Sequence, residues 1–313
     1  MDVLSDAIAV MRTGHPHAAR TQPAAPWGVR FPAQDGAGFH AVLHGAAFLI
    51  PANGAPVAIA AGDVVFLPHG LGHAIADTPT TPLVEFGRVV AGSGTGSRTE
   101  VSRTEMLCGA YRLDRSRTHP LVAELPDVVH LRAGRHPALR GALDLLSAEA
   151  GTAPGADAAA SALLDLLLVY IVRAWYDEQP AGTATGWSAA LGDPPVAEAL
   201  RAIHSHPERP WTVQSLAALV GLSRAPFARR FTETVGSPPL TYLTWWRMTT
   251  AARLLRESDR PLRAVAARTG YVSEFAFAKA FKREFGVAPG RYRERPSPSA
   301  FDGVTPAASG ARA

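Results

Sequence analysis

One cysteine in 313 residues, Cys108, excludes an internal disulfide framework. No apolar run is unbroken enough to read as a membrane span. The most apolar stretch, Ala158 to Tyr176, is interrupted by Ser161, Asp165 and Arg173, and points to a buried or dimer-forming helix. The N-terminus lacks the basic segment of a secretory leader and carries Asp2 and Asp6 in its place, so a cytoplasmic, bacterial-type protein without a membrane partner is expected. Lysine is scarce: Lys279 and Lys282 are the two lysines among 31 basic residues. A bias toward arginine and alanine of this kind reflects genome composition and carries no functional weight. The length suffices for two domains, and the composition is that of a soluble globular protein.

What is present in quantity is self-similarity. Ser223, Phe227, Phe231, Gly236, Pro239 and Tyr242 recur 50 residues later as Ser273, Phe277, Phe281, Gly286, Pro289 and Tyr292. In each copy the serine is placed to cap a helix, the phenylalanines four apart form one buried face, and the glycine ends the helix. A proline then opens the next helix, where its missing N–H costs nothing. Ahead of each serine lies a small-residue helix and a glycine turn, Ser215 to Leu222 and Ala264 to Val272, which predicts two helix-turn-helix units.

Between them, Pro239 to Glu257 reads as one amphipathic helix with Leu240, Leu243, Met248, Ala251, Leu254 and Leu255 on its apolar stripe. At 1.5 Å per residue it is roughly 28 Å long. That length suits two recognition helices set about one DNA turn, roughly 34 Å, apart. Charge agrees: residues 193–296 carry 17 Lys and Arg against 9 Asp and Glu, whereas residues 1–192 carry 13 against 17. The net +4 therefore conceals a basic C-terminal half suited to phosphate.

Residues 196–294 resemble the AraC/XylS-type DNA-binding domain. The resemblance rests on Gly236-x-x-Pro239-x-x-Tyr242, on Arg247-x-x-x-Ala251-x-x-Leu254-Leu255, and on the run from Phe281 through Gly286 and Pro289 to Tyr292 and Arg293. It implies promoter DNA as the partner and, for an activator, RNA polymerase. With the phenylalanines inside, Arg224, Ala225, Ala228 and Arg229 face the groove from the first recognition helix, and Glu274, Phe275, Ala278 and Lys279 from the second. Phe275 is equally compatible with a place in the core. By the resemblance, Arg229 stands where a base-contacting arginine is often found.

The N-terminal half reads differently. Residues 2–12 form a short amphipathic helix, and short Val/Phe/Leu-rich runs separated by Gly, Pro and Asn between Trp27 and about Leu113 predict a β-sandwich or barrel. A Gly/Ser-rich loop is expected at 91–98, and helices over 137–149 and 156–176. Gly62-Asp63-x4-Pro68-x-Gly70-x2-His73-x3-Asp77 resembles the second cupin motif, with Asp77 where asparagine is usual. The first motif, which normally supplies two histidines and a glutamate to a metal, retains only His40. The segment is similar to the cupin-type sensor half of one branch of AraC/XylS regulators, where runs like Cys108-Gly109-Ala110-Tyr111 and Pro120 to Pro126 occur. Some members of that branch respond to reactive chlorine or other electrophiles.

The expected architecture is therefore α+β. A cupin-like sensor and dimerisation domain with flanking helices spans 1–176, a linker 177–195, an all-α double helix-turn-helix domain 196–294 and a disordered tail 295–313. His40 and His73 converge inside a cupin barrel, either as ligands for zinc, copper or nickel or as a hydrogen-bonded core pair. Cys108 is either a third member of that site or a buried inert thiol, while His44 and His69 are expected at the surface. No cofactor is required. Three functions compete: a regulator responding to a small-molecule or oxidant inducer, a metal-dependent cupin enzyme with a DNA-binding tail, and a ligand-independent DNA-binding protein. The regulator is favoured, because the barrel offers too few ligands for a catalytic metal and the rest of the chain is spent on two complete helix-turn-helix units.

Overall fold

The computed structural model describes residues 3–11, 16–87, 104–113, 118–149, 154–179 and 186–294. The loop expected at 91–98 and the tail from 295 lie outside the described residues. The chain divides into two compact units, and the division does not follow the expected borders. Residues 1–12 and 116–124, both read from sequence as part of the barrel half, pack with 178–296, while 13–115 and 125–177 form the other unit.

The β unit has two five-stranded sheets. One has the order β1 (His17–Thr21), β9 (Glu105–Tyr111), β3 (Ala37–His44), β6 (Asp63–Leu67), β10 (Val129–Arg132). The other has the order β5 (Val57–Ala60), β4 (Ala46–Pro51), β7 (His73–Ala76), β2 (Gly28–Phe31), β8 (Val84–Glu85). Alternation along each strand sorts side chains to opposite faces. One set, including Val42, Leu49, Ile59, Val65, Ile75 and Met106, fills the interior together with half-buried Phe31 and Cys108. On the alternate positions of the first sheet, Phe39 and Phe66 meet the ring of Tyr111. The Tyr111 hydroxyl donates to the carbonyl of Leu164, 2.8 Å away, on the helix that covers this face. Gly109 makes that layer possible. A Cβ there would lie 2.3 Å from the Phe39 ring and 2.7 Å from the carbonyl of His17.

Helices Pro137–Ala148 and Ala156–Asp177 complete this unit, within a residue of their expected ends. The second buries Leu164, Leu167, Leu168, Ile171 and Val172 but leaves Leu166 exposed. Strand β1 was not legible, because all five of its residues are exposed and it shows no apolar alternation. It is an edge strand, held to β9 by the ladder and by Arg20, whose guanidinium donates to Glu105. That bond, foremost, holds the Glu105 carboxyl down at about 2.

The helical unit begins with α1 (Val3–Met11) and the short α2 (Pro120–Ala123). It continues with α3 (Gly186–Gly192), α4 (Pro194–Ser205), α5 (Val213–Leu219), α6 (Arg224–Val235), α7 (Pro239–Glu257), α8 (Leu262–Arg268), α9 (Glu274–Phe285) and α10 (Pro289–Arg293). Part of the expected linker is thus ordered: α3 buries Trp187, and Asp193 caps α4 by accepting from the Val196 amide at 3.2 Å. Gly236 and Gly286 end the recognition helices in the left-handed region, at φ 78° and 72°. Only one of the two serines caps as expected. Ser273 accepts from the Ala276 amide, whereas Ser223 makes no such bond, because the equivalent third helical position is Pro226, which has no N–H.

The helix α7 serves both units of the repeat. Its first half contributes buried Tyr242, Leu243 and Trp246 beside Phe231, and its second half contributes Met248, Ala251, Ala252 and Leu255 to a core with Phe277, Phe281 and Tyr292. Leu240, expected on the apolar stripe, is 39% exposed, while its neighbours Pro239, Tyr242 and Leu243 are buried.

Candidate nucleic-acid interface and barrel site

The two recognition helices carry the same internal device. Phe227 and Phe231 stand 5.7 Å apart at 54° between ring planes, and Phe277 and Phe281 stand 5.7 Å apart at 52°. All four are fully buried. This fixes the opposite face of each helix outward. On α6, Arg224, Ala225 and Arg229 are exposed and Ala228 half-buried; on α9, Glu274, Phe275 and Lys279 are exposed and Ala278 half-buried. Phe275, at 80% exposure, is not a core residue.

The cations on these faces differ in their freedom. Among the described residues, Arg224, Arg229 and Lys279 have no protein hydrogen-bond or ion-pair partner, whereas Arg230 is held by Asp193 at 2.5 Å. Three unpaired cations and exposed apolar groups thus lie on the outward faces of two helices joined by a 19-residue helix.

A cupin family profile matches residues 2–177, and a helix-turn-helix domain profile matches residues 216–295. An AraC-like transcription regulator of Streptomyces antibioticus is 34% identical over 95% of this chain and 100% of its own length. The chain belongs to the AraC family of transcription regulators. Another relative, the RCS-specific transcriptional activator RclR of Escherichia coli, is 32% identical over 82% of this chain and 84% of its own. The solved DNA-binding domain of AdpA in complex with a target DNA is 38% identical, covering 32% of this chain and 90% of that one, with a TM-score of 0.31. The relatives are named as regulators, not enzymes, and this AraC-family chain is a DNA-binding regulator with a cupin domain rather than a catalytic cupin.

The barrel brings His40 and His73 together as expected, with Nε2 to Nε2 at 2.8 Å. His73 Nδ1 lies 3.0 Å from the Leu71 carbonyl, which can only accept, so Nδ1 carries the proton and Nε2 is the acceptor. His40 therefore donates from Nε2, and its Nδ1 is left as a buried acceptor without a partner. Phe31 stacks on His73 at 5.0 Å and tilts against His40 at the same distance. Burial first, then the neighbouring His73, pushes the His40 imidazole well below its usual range; burial also lowers His73, against the opposing pull of Leu71.

Cys108 sits directly across the ladder from His40, on β9. It is half-buried, and desolvation pushes its thiol up to about 12, the opposite of a reactive thiolate. Asp77 is structural: its carboxylate accepts from the Trp27 amide at 3.2 Å and from the Thr81 hydroxyl at 2.5 Å. His44 is exposed and pairs with Glu105 at 3.1 Å, and His69 is half-buried and reaches the Leu125 carbonyl at 2.8 Å. The donor set does not fit a cupin metal centre. Two imidazoles bond each other directly, the thiol is held protonated, and among the described residues no group of three His, Cys, Asp or Glu converges.

Two further histidines escaped the sequence reading. His119 and His204 are buried in the helical unit; His119 lies on no periodic face that marks it, and His204 sits four residues after Leu200 on the buried stripe of α4.

Proposed function

We propose that this regulator binds promoter DNA as a dimer, reads it chiefly through the first recognition helix, and changes its DNA occupancy when the barrel takes up a small molecule or meets an oxidant. The observation that carries the DNA-reading part is the contrast between the outward faces. Helix α6 presents Arg224 and Arg229, whereas α9 presents Lys279 beside Phe275 and Glu274. Arginine paired to guanine is the commonest specific base contact, whereas lysine and a phenyl ring offer phosphate attraction and apolar contact with thymine methyls.

Arg229→Ala is expected to cost about 1–3 kcal/mol and to relax preference at one base pair. Lys279→Ala is expected to weaken all sequences alike and to reduce the salt dependence by about one counterion. Selection of binding sites from a random duplex pool at two salt concentrations reads both. Unchanged preference with Arg229→Ala sinks the assignment of base reading to α6.

For the signal, the buried unpartnered Nδ1 of His40 supports a ligand that donates a hydrogen bond into the barrel. The name of RclR supports a reactive signal. The raised thiol of Cys108 argues against direct attack by a thiolate at neutral pH. Promoter response of His40→Ala, His73→Ala and Cys108→Ser chains at matched abundance tests the barrel. The histidine variants are expected to lose induction and Cys108→Ser to keep most of it; full response in all three removes the barrel site.

Dimerisation is assigned to the helix Ala156–Asp177, which keeps Leu166 exposed with half-buried Leu163 three residues before it on the same face. Light scattering is expected to show the full chain dimeric at micromolar concentration and Leu166→Glu shifted to monomer. Should the chain act as an activator, RNA polymerase is its further partner.

A further inference from the structure

We propose that His119 is a positioning residue for the first recognition helix, a peg on the connection between β9 and β10 that locks the core of the first helix-turn-helix through the hydroxyl of Tyr242. The lock is a directed chain of hydrogen bonds within the helical unit. The Leu121 amide, which can only donate, gives its proton to His119 Nδ1 at 3.1 Å. His119 must then carry its own proton on Nε2 and donate it to the Tyr242 hydroxyl at 3.2 Å. Tyr242 in turn donates to His204 Nε2 at 2.7 Å. The remaining His204 proton, on Nδ1, faces the Asp6 carboxylate on α1 at 3.5 Å.

The surroundings hold each ring in place. His119 is fully buried, meeting Trp187 edge-on at 4.6 Å and Trp245 at 5.2 Å. His204 stacks on Trp246 at 3.7 Å with planes 6° from parallel. Tyr242 meets Phe231 at 6.0 Å, and Phe231 lies on the inward face of α6, whose outward face carries Arg229. A second tie holds the same segment, since Glu124 accepts from the Trp187 amide at 2.8 Å.

Connectivity gives the peg its meaning. His119 follows β9, the strand of Cys108, by a short stretch, and α1 precedes β1, which pairs with β9 throughout, Ala19 standing opposite Cys108. Both segments, the one whose Asp6 carboxylate faces His204 and the one whose His119 donates to Tyr242, thus continue from one pair of neighbouring strands. A buried hydroxyl that loses a hydrogen-bond donor is costly to leave unmatched, so the loss of His119 is felt at Tyr242.

The test uses the full chain and a duplex selected from a random pool by the wild-type protein. His119→Asn keeps an acceptor for the Leu121 amide but does not reach Tyr242, whereas His119→Gln places a donor near the position of the imidazole Nε2. Tyr242→Phe removes the same bond from the other side. We expect His119→Asn and Tyr242→Phe each to weaken binding at least fivefold and to lose hydroxyl-radical protection over the half-site of α6 while keeping that of α9. His119→Gln is expected to restore most of the affinity, and the His119→Asn, Tyr242→Phe double variant to bind no worse than Tyr242→Phe alone. Wild-type binding by His119→Asn, additive losses, equal loss over both half-sites, or no rescue by glutamine would each overturn the proposal. If His119→Asn does not accumulate as folded chain, Asp6→Asn, which removes the carboxylate charge facing His204, is read on the same duplex. A smaller loss confined to the α6 half-site supports the proposal, and unchanged or evenly reduced protection refutes it.

Discussion

Phe281→Ala is expected to erase one half of the DNA footprint and leave the other. The ring is fully buried, 5.7 Å from Phe277, 4.4 Å from Phe285 and 5.2 Å from Tyr292. Truncating a buried phenylalanine costs about 3–5 kcal/mol, from lost transfer energy and from the cavity left behind. That is enough to unfold a small helical unit of ordinary stability. The damage stays local because α7 divides its apolar residues. Met248, Ala251, Ala252 and Leu255 serve the core around Phe281, while Tyr242, Leu243 and Trp246 serve the one around Phe231. Protection over the α6 half-site is therefore expected to persist at weaker overall affinity. Phe231→Ala is expected to give the mirror result. Loss of the whole footprint in either variant would show that the two halves fold as one.

Stability is also expected to fall as the solution is acidified from about pH 6.5. His40, His73, His119 and His204 are all depressed below the ordinary histidine range, in each case chiefly by burial, so they stay neutral when folded. In the unfolded chain they take up protons near pH 6.5. Below that value the unfolded state binds more protons than the folded one, and stability drops with falling pH until the folded-state values are reached; above it the contribution of neutral burial is fully present. Each histidine contributes a slope of up to about 1.4 kcal/mol per pH unit. Urea midpoints at pH 7.5, 6.5 and 5.5 measure it. His40→Gln is expected to flatten the lower part of the curve, and a curve flat from 7.5 to 5.5 in the wild-type chain would mean that these rings are solvated.

The helical half was legible because its signals are local. Two phenylalanines four apart, a glycine at the helix end and a proline after it fix a turn of chain whatever surrounds them, and the 50-residue recurrence doubled the signal. The pairing of His40 with His73 was also readable, since strand parity and the cupin-like spacing place both inside the barrel. What parity does not encode is which nitrogen holds the proton. That is decided by the carbonyl of Leu71, a contact of the folded chain alone. Strand β1 escaped because an exposed edge strand needs no apolar alternation, only a neighbour with free backbone groups. Ser223 misled because its hydroxyl is in the right place and the amide it needs is missing at Pro226. His119 and Asp6 were invisible for a different reason. Their partners, Tyr242 and His204, lie more than a hundred residues away in sequence, and no periodicity records such a contact.

The assembly of the helical unit from three separated stretches also bears on how such proteins are recombined. A gene fusion that joins the barrel of one relative to the reader of another at a single junction near residue 178 leaves Asp6 and His119 behind with the donor barrel. The inherited reader then keeps Tyr242 but receives foreign residues opposite it. Functional chimaeras are expected to require that 1–12 and 116–124 travel with the reader, or that the donor already carries a matching histidine and acid. On the proposal above, exchange between sensors is expected to succeed only between partners that share the lock.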